Sequence, residues 1–276
     1  MSSTLVWTAL GFYGLAIVSS FPSVIQRRVK LSPATLMAVG AGLLSHLAGL
    51  MTAALAFDRP PLTNVSGFLS VLAFMACAAF LVGYWKYRIM PLAIFVLPVV
   101  FLLTLTSALQ GDLDFSSAPF RTRWMVLHIS ALFVGYAALF LTFIASVMYL
   151  MQERELKSKK PWAFYHRLPS LEALDALAHR TLVVGMPFMT LGIITGFIWA
   201  GTTWEGSWGL DWKIIASVLT WLGYLAIFAS RVAGRLRGRR AAYFAMAGFA
   251  ALMFTFLVIS YVSGVHGFFP NLEGKS

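Results

Sequence analysis

Eight apolar runs, each long enough as a helix to cross a lipid bilayer, follow one another along this chain with polar segments between them. They are Thr4–Ile25, Ala34–Phe57, Gly67–Trp85, Pro91–Ser107, Met125–Met151, Thr181–Ala200, Trp212–Ser230 and Ala241–Val262. Roughly 17–25 helical residues cross a hydrocarbon core about 30 Å thick. Lipid offers no partner to backbone N–H and C=O groups, so runs of this length must be helical to span it. The expected fold is all-α: a polytopic membrane protein of eight transmembrane helices, in a single integral membrane domain over residues 1–276. Composition agrees, since 59% of residues are hydrophobic and 11% charged, against about 45–50% and about 25% in soluble domains.

An even number of spans puts both termini on one side, and the charges say which. The segments after runs one, three, five and seven hold 16 of the 21 Lys and Arg residues. The opposite side has only Arg59, Arg121, Arg123, Lys213 and Lys275. Cytoplasmic loops collect Lys and Arg, so both termini are expected outside. The same rule accounts for the net charge of +11 without a nucleic-acid partner. No basic residue precedes the first run, as a signal peptide would require, so that run reads as a retained helix. Cys77 is the single cysteine; with no second thiol it makes no internal disulfide or CxxC pair, and it reads as a small buried residue.

Between the sixth and seventh runs lies Trp204–Lys213, WEGSWGLDWK, on the external side. Three indoles in so short a polar loop have two readings. One is an interfacial aromatic belt; the other is a flat surface for a flat, conjugated ligand. The longer basic-side loop, Gln152–Arg180, ends in SLEALDALAH, with Leu171, Leu174 and Ala178 at helical spacing. Behind the start signals Pro169 and Ser170, it reads as a short interfacial helix leading into run six.

Five histidines occur, and three stand out by depth and side. His128 sits near the outer end of run five and His266 just after run eight, on the same face as the tryptophan loop. Two imidazoles could complete the axial positions of a haem iron, or be unrelated interfacial residues. Two such ligands without Cys, Asp or Glu at metal-site spacing argue against a bare zinc site. His46 falls midway along run two, where a polar residue is costly. It either hydrogen-bonds a neighbouring helix or ligates a second haem within the bilayer. His166 and His179 read as ordinary histidines of the basic-side loop. The chain carries no Ser–His–Asp grouping, P-loop or dinucleotide fingerprint.

The stretch Leu174–Ala200 followed by WEGSWGLDWK resembles the cytochrome c assembly family, the haem-handling proteins that include the CcsA/ResC, CcmC and HemX-like groups. Their hallmark is an external tryptophan-rich WWD segment. Trp204, Trp208, Asp211 and Lys213 fall on its first Trp, second Trp, Asp and Lys; Glu205, Leu210 and Trp212 depart from it. His128, in LHIS followed by GYAAL, and His266, in SGVHGF, match the histidines before and after that segment. The resemblance is strongest over residues 124–268.

The resemblance implies non-covalent haem b at the external face, with His128 and His266 as axial ligands. Trp204, Trp208, Asp211 and Trp212 would line the porphyrin, and Arg121 and Arg123 would pair with its propionates. It further implies a bacterial inner (plasma) membrane location, a separate ResB-like membrane partner and apocytochrome c as recipient. The chain is then no enzyme by itself, although it could be one subunit of a haem-attachment complex. A HemX-like regulator of haem synthesis, acting on the level of glutamyl-tRNA reductase, is the alternative. A haem-independent transporter is the least supported reading, because no discontinuous-helix pair or buried ion pair marks a substrate path.

Overall fold

The computed structural model describes residues 3–25, 30–57, 65–109, 123–158, 168–203 and 211–257. Among these are eight helices: α1 (Ser3–Ile25), α2 (Pro33–Phe57), α3 (Val65–Tyr87), α4 (Leu92–Leu109), α5 (Arg123–Lys157), α6 (Leu171–Thr203), α7 (Trp212–Val232) and α8 (Gly238–Leu257). Seven of them, α1 to α7, are long and apolar enough to cross a membrane. The protein is an all-helical polytopic membrane protein. Helix α8 begins with Gly238, Arg239 and Arg240, and the last residues of the expected eighth span lie outside the described residues.

One expectation needs correcting. The short interfacial helix over 170–179 is no separate element but the first turns of α6, which runs unbroken for 33 residues. The start signal is real: the Ser170 hydroxyl accepts the Ala173 N–H at 3.3 Å, an N-cap bond. No glycine or proline interrupts the chain before Thr181, while Leu174, Leu177, Ala178, Thr181 and Leu182 form one buried stripe. At 1.5 Å per residue α6 is about 50 Å long, well beyond a 30 Å core.

The chain divides into two compact units, Met1–Asp114 with Leu150–Leu174, and Phe115–Tyr149 with Asp175–Ser276. In the first, α1 packs on α2, α2 on α3, α3 on α4, and α4 back on α1, closing a ring. Gly42 lets the ring of Tyr13 lie against α2, since a Cβ there would stand 2.7 Å from Tyr13 Cε1. The Tyr13 hydroxyl thereby reaches His46 Nδ1 at 3.2 Å, and His46 Nε2 meets the Ser70 hydroxyl at 2.8 Å. These bonds tie α1, α2 and α3 together. At the α3–α4 contact, the Ser66 and Ser107 hydroxyls each donate to the other's carbonyl at 2.7 Å. Such interhelical bonds contribute about 0.6 kcal/mol each in a membrane, so they set register more than they supply stability.

In the second unit α5 and α6 run antiparallel along a seam of small residues. His128 faces Gly196, Leu132 faces Gly192, Gly135 faces Met189, and Leu139 faces Gly185. Further along, the Thr142 and Thr181 hydroxyls bond at 2.8 Å. A Cβ on Gly135 would lie 3.1 Å from the Met189 backbone nitrogen, so the glycines bring the two backbones close. The core gathers Leu139, Leu182, Met186, Met189, Tyr224, Ile227 and Leu252. The Trp221 indole N–H donates to Thr190 at 3.0 Å and fastens α7 to α6.

The unit also holds a largely buried ion pair. Arg231, with its side chain 5% exposed, donates through Nη2 to Asp175 Oδ1 at 2.9 Å. The two residues are far apart in sequence, one in the stretch read as interfacial and one at a helix end, so only the fold makes them meet.

Candidate functional site

The N-terminal end of α5 places His128 one turn into the helix, against α6. Its Nδ1 lies 2.6 Å from the Gly192 carbonyl oxygen. A carbonyl oxygen only accepts, so Nδ1 is the donor, and in a neutral ring this leaves the lone pair on Nε2. That is the arrangement in which imidazole ligates a metal, its second nitrogen oriented by a backbone carbonyl. The same carbonyl also accepts the Thr195 hydroxyl at 3.1 Å.

Space for the ring comes from Gly196. A Cβ there would stand 2.6 Å from both Nδ1 and Cε1 of His128, inside contact distance. Gly192 and Gly196 are one turn apart on the face of α6 turned to α5. The buried Trp199 and Ala200 continue that stripe.

The start of α7 joins this corner. Asp211, at φ −62° and ψ 132°, accepts the Lys213 N–H on Oδ1 at 2.9 Å and is the N-cap of α7. Lys213 lies within electrostatic range of both Asp211 and His128. Trp212, the first residue of the helix, is 67% exposed. The structure thus brings together His128, Asp211 and Lys213, with Trp212 beside them. Trp204, Trp208, Arg121 and His266 lie outside the described residues, as does the side chain of Arg123 at the start of α5.

His46 belongs to the other unit and is fully buried. Both its nitrogens meet hydroxyls, and the Phe74 ring stands edge-on to it at 6.0 Å. The hydroxyl contacts are hydrogen bonds to neighbouring helices, the first of the two alternatives read for this residue.

Sequence reasoning passed over Gly192, Thr195 and Gly196. Their signal was present in GIITG, a small-xxx-small spacing that permits close helix approach. Asp211 had a second legible role, since Asp directly before a helix is an N-cap residue.

Residues 38–266 match the family model described as Cytochrome C assembly protein. A protein from Guillardia theta named Cytochrome c biogenesis protein CcsA is 25% identical over 229 residues, covering 75% of this chain and 76% of that protein. The protein of the same name from Prochlorococcus marinus (strain MIT 9515) is 30% identical over 187 residues, covering 58% of this chain and 59% of its own length. The Chlamydomonas reinhardtii one is 30% identical over 154 residues, covering 54% and 42%. The match therefore spans under two thirds of the latter two proteins.

Proposed function

The chain belongs to the cytochrome c assembly protein family, whose model it matches from residue 38 to 266, and on that premise we propose that it handles haem at the outer face of the membrane for c-type cytochrome biogenesis. The observation that carries this reading is the His128 imidazole, oriented through Nδ1 by the Gly192 carbonyl so that Nε2 is the ligating nitrogen. The donor set fits a haem cargo, with an oriented imidazole and, in Lys213 beside it, a cation suited to a propionate.

In this reading His128 and His266 are the axial ligands of non-covalent haem b. Trp204, Trp208 and Trp212 offer indole faces to the porphyrin, Asp211 holds the start of α7 under it, and Arg121 and Arg123 join Lys213 at the propionates. The haem supplies the vinyl groups with which apocytochrome thiols react. The chain's own part is to bind the haem and present it, with a separate ResB-like protein as membrane partner. The loop and both termini face outward from a bacterial inner membrane. A family match that runs across both compact units supports reading the chain as one integral membrane domain. The relatives' shared name, cytochrome c biogenesis protein, weighs against a regulator of haem synthesis.

The protein purified from membranes is expected to carry reducible haem with a low-spin, bis-histidine absorption spectrum. A strain lacking it should lose its covalent c-type cytochromes. Unchanged spectrum and haem content in both His128→Ala and His266→Ala would overturn the ligand assignment.

A further inference from the structure

At the basic end of the second unit, the buried Arg231 is only partly satisfied. Its Nη2 donates to the Asp175 carboxylate and to the Asp175 carbonyl at 3.0 Å, but its buried Nε has no partner among the described residues. One turn beyond Asp175, the buried Nδ1 of His179 is likewise without a partner among them. Arg231, Asp175, Arg180 and Arg237 all lie within electrostatic range of His179. Among the described residues the one carboxylate in this shell, that of Asp175, is already engaged by Arg231 and by the Gly238 N–H at 3.3 Å. Three guanidinium groups thus gather about His179, and among the described residues two buried nitrogens, Arg231 Nε and His179 Nδ1, have no partner. Leaving such groups unpaired is costly; an anion carrying several oxygens would accept the Arg231 Nε–H, and the His179 Nδ1–H in the tautomer that carries its proton there.

The α7–α8 connection concentrates further charge here. Gly234 at φ 70° and Gly238 at φ 60° adopt left-handed conformations that other residues disfavour, which keeps the connection short. Arg235, Arg239 and Arg240 are exposed around it. Apolar surface borders the charges: Val232, Tyr243 and Phe244 are all more than half exposed, and the Arg239 guanidinium lies 5.5 Å from the Tyr243 ring centre. Cations with orphaned donors beside exposed apolar groups suit a molecule with both an anionic head and acyl chains.

We propose that this corner of α6, α7 and α8 binds the headgroup phosphate of an acidic phospholipid, with Arg180 and Arg237 above the phosphate and Val232, Tyr243 and Phe244 along the chains. The positive-inside rule makes a face basic in general; the buried Arg231 and His179 nitrogens make this corner a specific site.

The test uses the purified full chain in neutral detergent, titrated with phosphatidylglycerol, phosphatidylcholine or inorganic phosphate, and read by native mass spectrometry and thermal unfolding. Phosphatidylglycerol is expected to stay bound and to raise the unfolding midpoint, while phosphatidylcholine does neither. The exposed-residue variant Arg180→Gln/Arg237→Gln should bind phosphatidylglycerol roughly thirtyfold more weakly, with its unfolding in phosphatidylcholine unchanged. His179→Phe, which removes an orphaned nitrogen, should weaken binding severalfold. Equal binding of the two lipids, or full binding by both variants, would overturn the proposal. So would an equal loss in Lys86→Gln/Arg88→Gln, basic residues of the other unit, since that would mark generic attraction. Inorganic phosphate matching the lipid at equal concentration would refute the acyl-chain contribution and with it the lipid assignment.

Discussion

Replacing Gly196 by alanine puts a methyl group where the His128 ring now lies. The new Cβ would stand 2.6 Å from Nδ1 and Cε1, whereas ordinary contact begins at 3.4 Å, so the ring must retreat by about 0.8 Å. A displacement of that size along the bond stretches the 2.6 Å contact to Gly192 to about 3.4 Å, at the weak limit of hydrogen bonding. The lost bond costs about 0.5–1.5 kcal/mol and the overpacking about 1–3 kcal/mol. Losing the group that orients a metal-ligating histidine weakens metal binding about 10–100-fold. Gly196→Ala is therefore expected to unfold more readily and to lose most of its haem, the remainder shifting away from the low-spin spectrum. Two controls isolate the cause. Gly223→Ala meets nothing within 4 Å and should leave stability and haem unchanged. Gly192→Ala collides with the Leu132 side chain instead of the imidazole, so it should lose stability yet keep the spectrum, because its carbonyl still accepts. Absorption spectra, haem-to-protein ratios and thermal unfolding of the three variants decide the matter. Unaltered haem affinity and spin state in Gly196→Ala would refute the argument that this glycine positions His128.

His46→Leu leaves the Tyr13 and Ser70 hydroxyls without their shared partner and should cost about 1–3 kcal/mol of stability, with haem per protein unchanged; loss of half the haem would instead show a second haem at His46. For Asp211 the cap and the charge separate: Asp211→Ala should lose about 1 kcal/mol of stability, while Asp211→Asn, also a good cap, keeps it. If both unfold alike, the capping argument fails. Asp175→Leu strands a buried guanidinium and is expected to cost about 3–5 kcal/mol, most of it recovered in Asp175→Leu/Arg231→Met. Thermal or denaturant unfolding of the pair checks this, and a double variant no more stable than the single one would contradict it.

The amino-acid sequence by itself determined the class of this protein, because an apolar run of fixed length in a medium without hydrogen-bonding partners has one solution, a spanning helix. It also placed the candidate ligands in order along the chain, since histidine and tryptophan are conspicuous among apolar neighbours. It determined where α6 begins, through Ser170, but not that the helix continues past His179, which depends on a stripe finding α5 to pack against. Tertiary structure alone decided which nitrogen of His128 is free, because that is set by a carbonyl 64 residues away. It decided likewise that Gly192 and Gly196 matter, since a glycine's missing side chain has meaning only when another helix fills the space. His46 was legible as costly but not as satisfied, for its two hydroxyl partners come from different helices. Arg231 read as one more basic residue at a helix end until the fold placed Asp175 against it. Local chemistry is written in the chain; pairing between distant residues exists only once the helices have packed.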